Sequence, residues 1–160
     1  MNRIDRIINN KCYIKCMAEI KTLEAARRFC GHGMEHCLDV ARIMMILNYE
    51  EQADLSRELI YAAALLHDIG RGMEYKTGIS HEQAGISTAR DILKACGFSQ
   101  EETGLLIEAI RSHRDASIRE ERTLSGLLYR ADKLSRACYA CEAEPACDWD
   151  ISKKNMQIQY

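Results

Sequence analysis

A chain of 160 residues, 47% hydrophobic and 29% charged, has the length and balance of one domain with a buried core and falls outside disordered or fibrous compositions. Its formal net charge of -2 excludes a general electrostatic hold on nucleic acid or anionic membrane, so an anionic ligand needs a local positive site. The longest apolar stretch, Leu59 to Leu66, is ended at once by His67 and Asp68, and the amino terminus lacks a secretory apolar segment. A cytoplasmic protein is therefore expected, with neither a membrane nor a nucleic-acid polymer as partner. In that reducing setting the 8 cysteines read as thiols or metal ligands rather than disulfides.

A single proline and few β-branched runs predict an all-α fold, and no repeat or linker divides residues 1–160. Ile4, Ile7, Ile8, Ile14, Ala18 and Leu23 predict an amphipathic first segment over roughly Asn2 to Arg28, broken near Asn9-Asn10. After Gly31 and Gly33, a helix is predicted from Met34, with His36, Val40, Ile43 and Leu47 on one face. The next has Asp54 as N-cap, then Leu55, Leu59, Ala63 and His67 in one stripe, with Gly70 just past its end. Ser80 and Gln83 form a capping-box pattern that opens a helix to Cys96, stopped by Gly97. Ser99 and Glu102 repeat the pattern for a helix ending near His113, and Leu124, Leu128 and Asp132 mark the last strong helix. The tail from Trp149 to Tyr160 carries no clear period.

His36, the adjacent pair His67-Asp68, His81, His113 and Asp132 come from separate predicted elements, on inner faces or at helix ends. One inward histidine is ordinarily a hydrogen-bonded core residue, but burying the whole set without a shared partner costs several kcal/mol apiece. Neutral imidazoles with carboxylates are the donors of divalent transition metals, and the two oxygens of Asp68 suit it to bridge a pair of ions.

As they stand in EHCLDVARI, AALLHDIGRG, SHEQAG, AIRSHRD and YRADKLSR, these residues resemble the HD-domain metal-dependent phosphohydrolase superfamily over about Met34 to Arg136. The resemblance implies a compact HD bundle of about six or more helices, with residues 137–160 as a cysteine-containing extension. It implies a basic metal set of His36, His67, Asp68 and Asp132, to which two-metal members add His81 and His113. It further implies one or two divalent ions, with iron, manganese, magnesium, cobalt and zinc undistinguished, and hydrolysis of a phosphate ester or anhydride of a small soluble substrate by metal-activated water. The histidine pattern is similar to that of the bacterial branch acting on diadenosine tetraphosphate, which points to a nucleotide. Having His113-Arg114 where some members carry adjacent histidines argues against a cyclic dinucleotide. Asp68 and Arg71 are the catalytic candidates; Arg71, Arg114, Lys133 and His32 are the substrate-binding ones. The alternatives are a non-catalytic regulatory module that binds metal or nucleotide, and a di-iron oxygenase-type member of the same fold.

Two motifs stand apart from this set. His32, Glu35 and His36 spell H-x-x-E-H, which resembles an inverzincin protease motif, but Gly31 and Gly33 argue that the helix does not reach back to His32. Cys138, Cys141 and Cys147 form C-x2-C-x5-C, a partial site for structural zinc or an iron–sulfur cluster that would draw a fourth ligand from Cys12, Cys16, Cys30 or Cys37; thiols that merely fill gaps are the alternative. The sequence is compatible with an oligomer.

Overall fold

Asn10 stops one helix and caps the next. In the computed structural model, which describes residues 1–160, α1 (Arg3–Ile8) and α2 (Lys11–Leu23) are separated at Asn9-Asn10, and Asn10 Oδ1 accepts from the backbone N–H groups of Cys12 and Tyr13. The helix ends at Leu23 rather than Arg28, and residues 24–33 run through turns and irregular backbone back to the bundle.

Gly33 precedes α3 (Met34–Glu51), so this helix starts where the sequence places it, and His36 and Val40 face the core. The following helix, α4 (Arg57–Leu66), is capped by Ser56, whose Oγ accepts from Leu59 N at 3.2 Å. Asp54, the expected cap, instead lies outside the helix in the left-handed region at φ 55°. Ile60, Ala62, Ala63, Ala64, Leu65 and Leu66 are all buried. A helix apolar on nearly every side belongs at the centre of a bundle. Its alanines let α3, α8 and α9 pack close around it.

The largest departure from expectation lies at Gly70. It does not end the helical run but joins it to α5 (Arg71–Thr77), and the helix expected from Ser80 to Cys96 is two pieces, α6 (His81–Ala84) and α7 (Ile86–Cys96), with Ser80 making no side-chain cap. Both differences have one cause. A Cβ on Gly70 would sit 2.2 Å from the His81 carbonyl oxygen and 2.5 Å from Gly85 N, so the two backbones touch, and only glycine permits the approach.

The capping box that opens α8 (Gln100–Ser112) forms in both directions, Ser99 Oγ accepting from Glu102 N and Glu102 Oε2 accepting from Ser99 N. Thr123 caps α9 (Leu124–Leu134). Beyond it residues 137–160 form short 3-10 turns that fold back on the bundle: Asn155 donates its side-chain amide to Leu134 O at 2.9 Å, and Lys154 bonds to the Glu144 carboxylate at 2.8 Å. No helix is long and apolar enough to cross a membrane.

Arg3 ties α1 to the rest. Its guanidinium bonds Glu58 of α4 and Glu102 of α8, each at 2.7 Å, and lies over the Phe98 ring. Hydrogen bonds from Arg3 hold Glu58 below the usual carboxylate range and Glu102 down to about 2. A depressed carboxylate stabilises the fold fully above its unfolded value near 4.5 and loses that contribution as pH falls toward about 2. Because the three groups stay partly exposed, the gain is about 1 kcal/mol or less. Arg3→Met should therefore melt slightly earlier at neutral pH and show a shallower fall in Tm than the wild type between about pH 4.5 and 3. Parallel melting slopes for the two proteins in that window would rule this linkage out.

Candidate metal centre

Two helices end in the same way, and that shared ending starts the site. His67 comes directly after α4 and His113 directly after α8, each as the C-cap residue where the last carbonyls lack intrahelical partners. His67 Nδ1 lies 2.8 Å from Ala64 O and His113 Nδ1 lies 2.6 Å from Ile110 O. A carbonyl only accepts, so both rings carry a proton on Nδ1 and turn Nε2 inward, where a cation that displaces any second proton would find its lone pair. His81, at the start of α6, places Nδ1 at 2.9 Å from Glu74 Oε2. His36 of α3 meets Ser135 Oγ at 3.2 Å; because that hydroxyl donates to Asp132 O, its oxygen accepts from the ring. All four imidazoles are thus held at Nδ1 and turn Nε2 to the centre, where His36 Nε2 also meets Arg136 Nη2 at 2.9 Å.

The Nε2 atoms converge on Asp68, which sits in the turn after His67. Its Oδ2 lies 3.0 Å from His67 Nε2 and 3.5 Å from His36 Nε2, while Oδ1 lies 3.2 Å from His81 Nε2 and 4.0 Å from His113 Nε2. Asp132 Oδ1 completes the first side, 3.3 Å from His36 Nε2 and 3.8 Å from His67 Nε2. The donor atoms form two buried groups, His36, His67 and Asp132 in one and Asp68, His81 and His113 in the other, each within 4.8 Å. Asp68 touches both.

The electrostatics of this cluster call for positive charge. Burial works against ionising Asp68, but the charge of His67 and the close ring nitrogens of His36 and His67 hold it well below the usual range. Asp132 is held down likewise, burial being outweighed by His36, His67 and Lys133. The two carboxylates in turn push His67 up to about 10 against its own burial, whereas burial and the charge on His67 drive His113 down to about 4. Asp68 Oδ2 is buried and makes no well-directed hydrogen bond. Convergent imidazole lone pairs, two buried carboxylates and an unsatisfied oxygen between them are the donor set of a divalent cation.

A cavity of about 290 Å³ opens on the centre. Arg71, Arg114, Lys133 and His32 all line it, so the structure brings every substrate-binding candidate to one space. Their states differ. Arg71 starts α5 rather than lying in a loop, and it donates to Asp68 Oδ1 at 3.1 Å and to Glu74 at 3.0 Å. Lys133 bonds Asp132 Oδ2 at 2.8 Å and His113 O at 3.0 Å, which steadies two members of the cluster. Arg114 is largely exposed and reaches Glu82 only at 3.6 Å. His32 is buried outside α3, its Nδ1 bonded to Glu24, so the H-x-x-E-H residues never share a helix and Glu35 faces solvent.

Cys138, Cys141 and Cys147 line the same cavity but form no third group of converging donors. Short turns at Cys138–Ala140 and Glu144–Ala146 carry them, and Cys30, one of the candidates for a fourth ligand, lines the same cavity. The residues the sequence did not single out are the ones that fix the ligands: Glu74, Ser135 and the carbonyls of Ala64 and Ile110. Ser135 carried a signal, standing three positions after Asp132 on the same face of α9.

A family model described as HD domain matches residues 33–137. Over 160 residues, the whole of both chains, the protein is 38% identical to an uncharacterized protein of Clostridium beijerinckii. It is 29% identical over 104 residues to ribonuclease Y 1 of Pediococcus pentosaceus, an alignment that takes in 65% of this chain and 18% of that one. A crystal structure described as that of a predicted HD superfamily hydrolase, from an uncultured Thermotogales bacterium, shares the fold at a TM-score of 0.64 and 24% identity, covering 91% of this chain and 80% of that one.

The backbone contact that sets His81 beside Asp68 yields a sharp pair of variants. Gly70→Ala should destabilise the protein by about 1–3 kcal/mol, because backbone rather than a flexible side chain must move. Gly104→Ala, inside α8 with nothing within 4 Å of its added methyl, should stabilise it by roughly 0.5–1 kcal/mol. Urea unfolding of both variants checks this, and equal midpoints would mean the Gly70 contact is slack.

Proposed function

The chain belongs to the HD-domain family, and on that premise we propose that it is a metal-dependent phosphohydrolase cleaving an ester or anhydride of a small phosphorylated substrate, in particular a nucleotide. The observation that carries the proposal is the sharing of Asp68, one oxygen toward His36 and His67 and the other toward His81 and His113. His36, His67 and Asp132 would hold one ion, His81 and His113 a second, with Asp68 common to both. When bound, divalent ions supply Lewis acidity, bringing the pKa of water toward neutrality and drawing charge off a phosphoryl group.

The chain's own residues do the rest. The Nδ1 partners lock each ring so that no reorganisation is needed when charge develops at the centre. Burial keeps bulk water away from the donors. Arg71, itself fixed by Asp68 and Glu74, turns its remaining donors to the cavity and orients the phosphate; Arg114 and Lys133 add positive potential at the same wall. His32 has a different task. Burial lowers its pKa, and a neutral ring that gives its Nδ1 proton to Glu24 offers a lone pair at Nε2. That suits a substrate hydroxyl, such as a sugar's, rather than a phosphate oxygen, and supports a nucleotide.

The ribonuclease Y likeness brings RNA in as the rival substrate. The cavity argues for the small one: about 290 Å³ is the lower end of small-molecule pockets, and residues of the 137–160 segment wall it. The protein should release phosphate or a nucleotide from a panel of phosphate esters and nucleotides, and chelation should abolish this with recovery on metal return. Asp68→Ala should lose at least about a hundredfold in kcat/KM, and Glu74→Gln or Ser135→Ala about 10–100-fold through their ligands. Full turnover by Asp68→Ala defeats the site assignment; cleavage of RNA but of no small ester defeats the substrate class.

A further inference from the structure

Arg136 is the buried cation of this cavity whose donors are not used up. Arg71 has two carboxylates and Lys133 a carboxylate and a carbonyl, whereas the Arg136 guanidinium has one oxygen acceptor, Gly31 O, at 2.8 Å from Nη1. Its Nη2 rests 2.9 Å from His36 Nε2 and 3.7 Å from Asp132 Oδ1, beyond hydrogen-bond reach of that carboxylate. Its Nε is buried with no partner at all. The residue is 7% exposed. A buried donor without an acceptor is costly, and Nη2 has only the ring nitrogen of His36 as its acceptor. A fold keeps that arrangement where an acceptor arrives from outside.

The position says what the acceptor is. Arg136 follows the Ser135 cap just beyond α9, four residues after Asp132, and lines the cavity beside His81, His113 and Arg71. The unpartnered Nε and the Nη2 that now meets only His36 Nε2 form the edge whose paired donors match two oxygens of a phosphate or carboxylate. The lone pair of His36 Nε2 now beside Nη2 is one that the proposed function assigns to an ion, and occupation of the centre would release Nη2 for a new partner. We propose that Arg136 is a phosphate-binding residue: its Nε and Nη2 donate to the phosphoryl group drawn to the centre, while Nη1 stays anchored on Gly31. This rests on the phosphohydrolase reading and adds a residue to it. Arg71 orients the substrate from α5, and Arg136 receives it from the turn just beyond α9.

Inorganic phosphate is the probe, titrated by calorimetry into the protein as isolated, with metal content measured on the same samples. Arg136→Gln keeps an N–H for Gly31 but removes the charge and the fork; it should weaken phosphate binding by about tenfold or more with metal content and melting temperature unchanged. Arg136→Lys restores a point charge and should recover part of that loss. In turnover with the best ester from the panel, the loss in Arg136→Gln should appear in KM as well as kcat. Unchanged phosphate affinity in Arg136→Gln overturns the proposal, and so does loss of metal or of folding in both variants, which would make the guanidinium a structural pin. If the wild type hydrolyses nothing yet binds phosphate in an Arg136-dependent way, the hydrolase reading fails and the phosphate site stands. If it hydrolyses esters with Arg136→Gln fully active, the reverse holds.

Discussion

The centre depends on one carboxylate with a different neighbour for each of its oxygens. Asp68 cannot move toward His36 and His67 without leaving His81 and His113. Its place is set by the turn that closes α4, the most deeply packed helix, so the stiffness of the core passes directly to the site. That turn also brings Gly70 against Gly85, which brings α6 and His81 to the second oxygen. A single local geometry therefore fixes three of the ligand positions, and α3, α8 and α9 supply the others from helices packed on α4.

Much of this was legible in the sequence because it rests on helical period. The stripes running through His36 and His67, and the box at Ser99 and Glu102, are local patterns that tertiary structure had no reason to override. The six donor residues were likewise readable as a set, since inward imidazoles and carboxylates at separate element ends have few other uses. What was not legible depends on contacts far apart in the chain. Gly70 looks like a stop signal, and only the approach of Gly85 shows that it is a junction; α5 was hidden for that reason, although Arg71 at its start was singled out. Asp54 looks like a cap, but its backbone is spent on leaving α3.

The supporting shell was the hardest to see. Glu74, Ser135 and Arg136 are residue types that usually face solvent, and their roles come from where α5 and α9 end up. The cysteines are a different case. Their spacing is that of a metal half-site, and what the sequence does not give is that Cys30, far away in the chain, comes to the same cavity as Cys138, Cys141 and Cys147.

Division of labour along the chain has a last consequence. Every donor lies within the stretch that the family model matches, residues 33–137, whereas the outer wall of the cavity comes largely from the carboxyl-terminal segment, a run of short turns pinned by a few polar contacts at Asn155 and Lys154. Such a wall can be rewritten without disturbing the packing that aims the imidazoles. Chemistry and selectivity are thereby housed in different stretches of the chain, so a change of residue along that wall reshapes what enters without touching a single ligand.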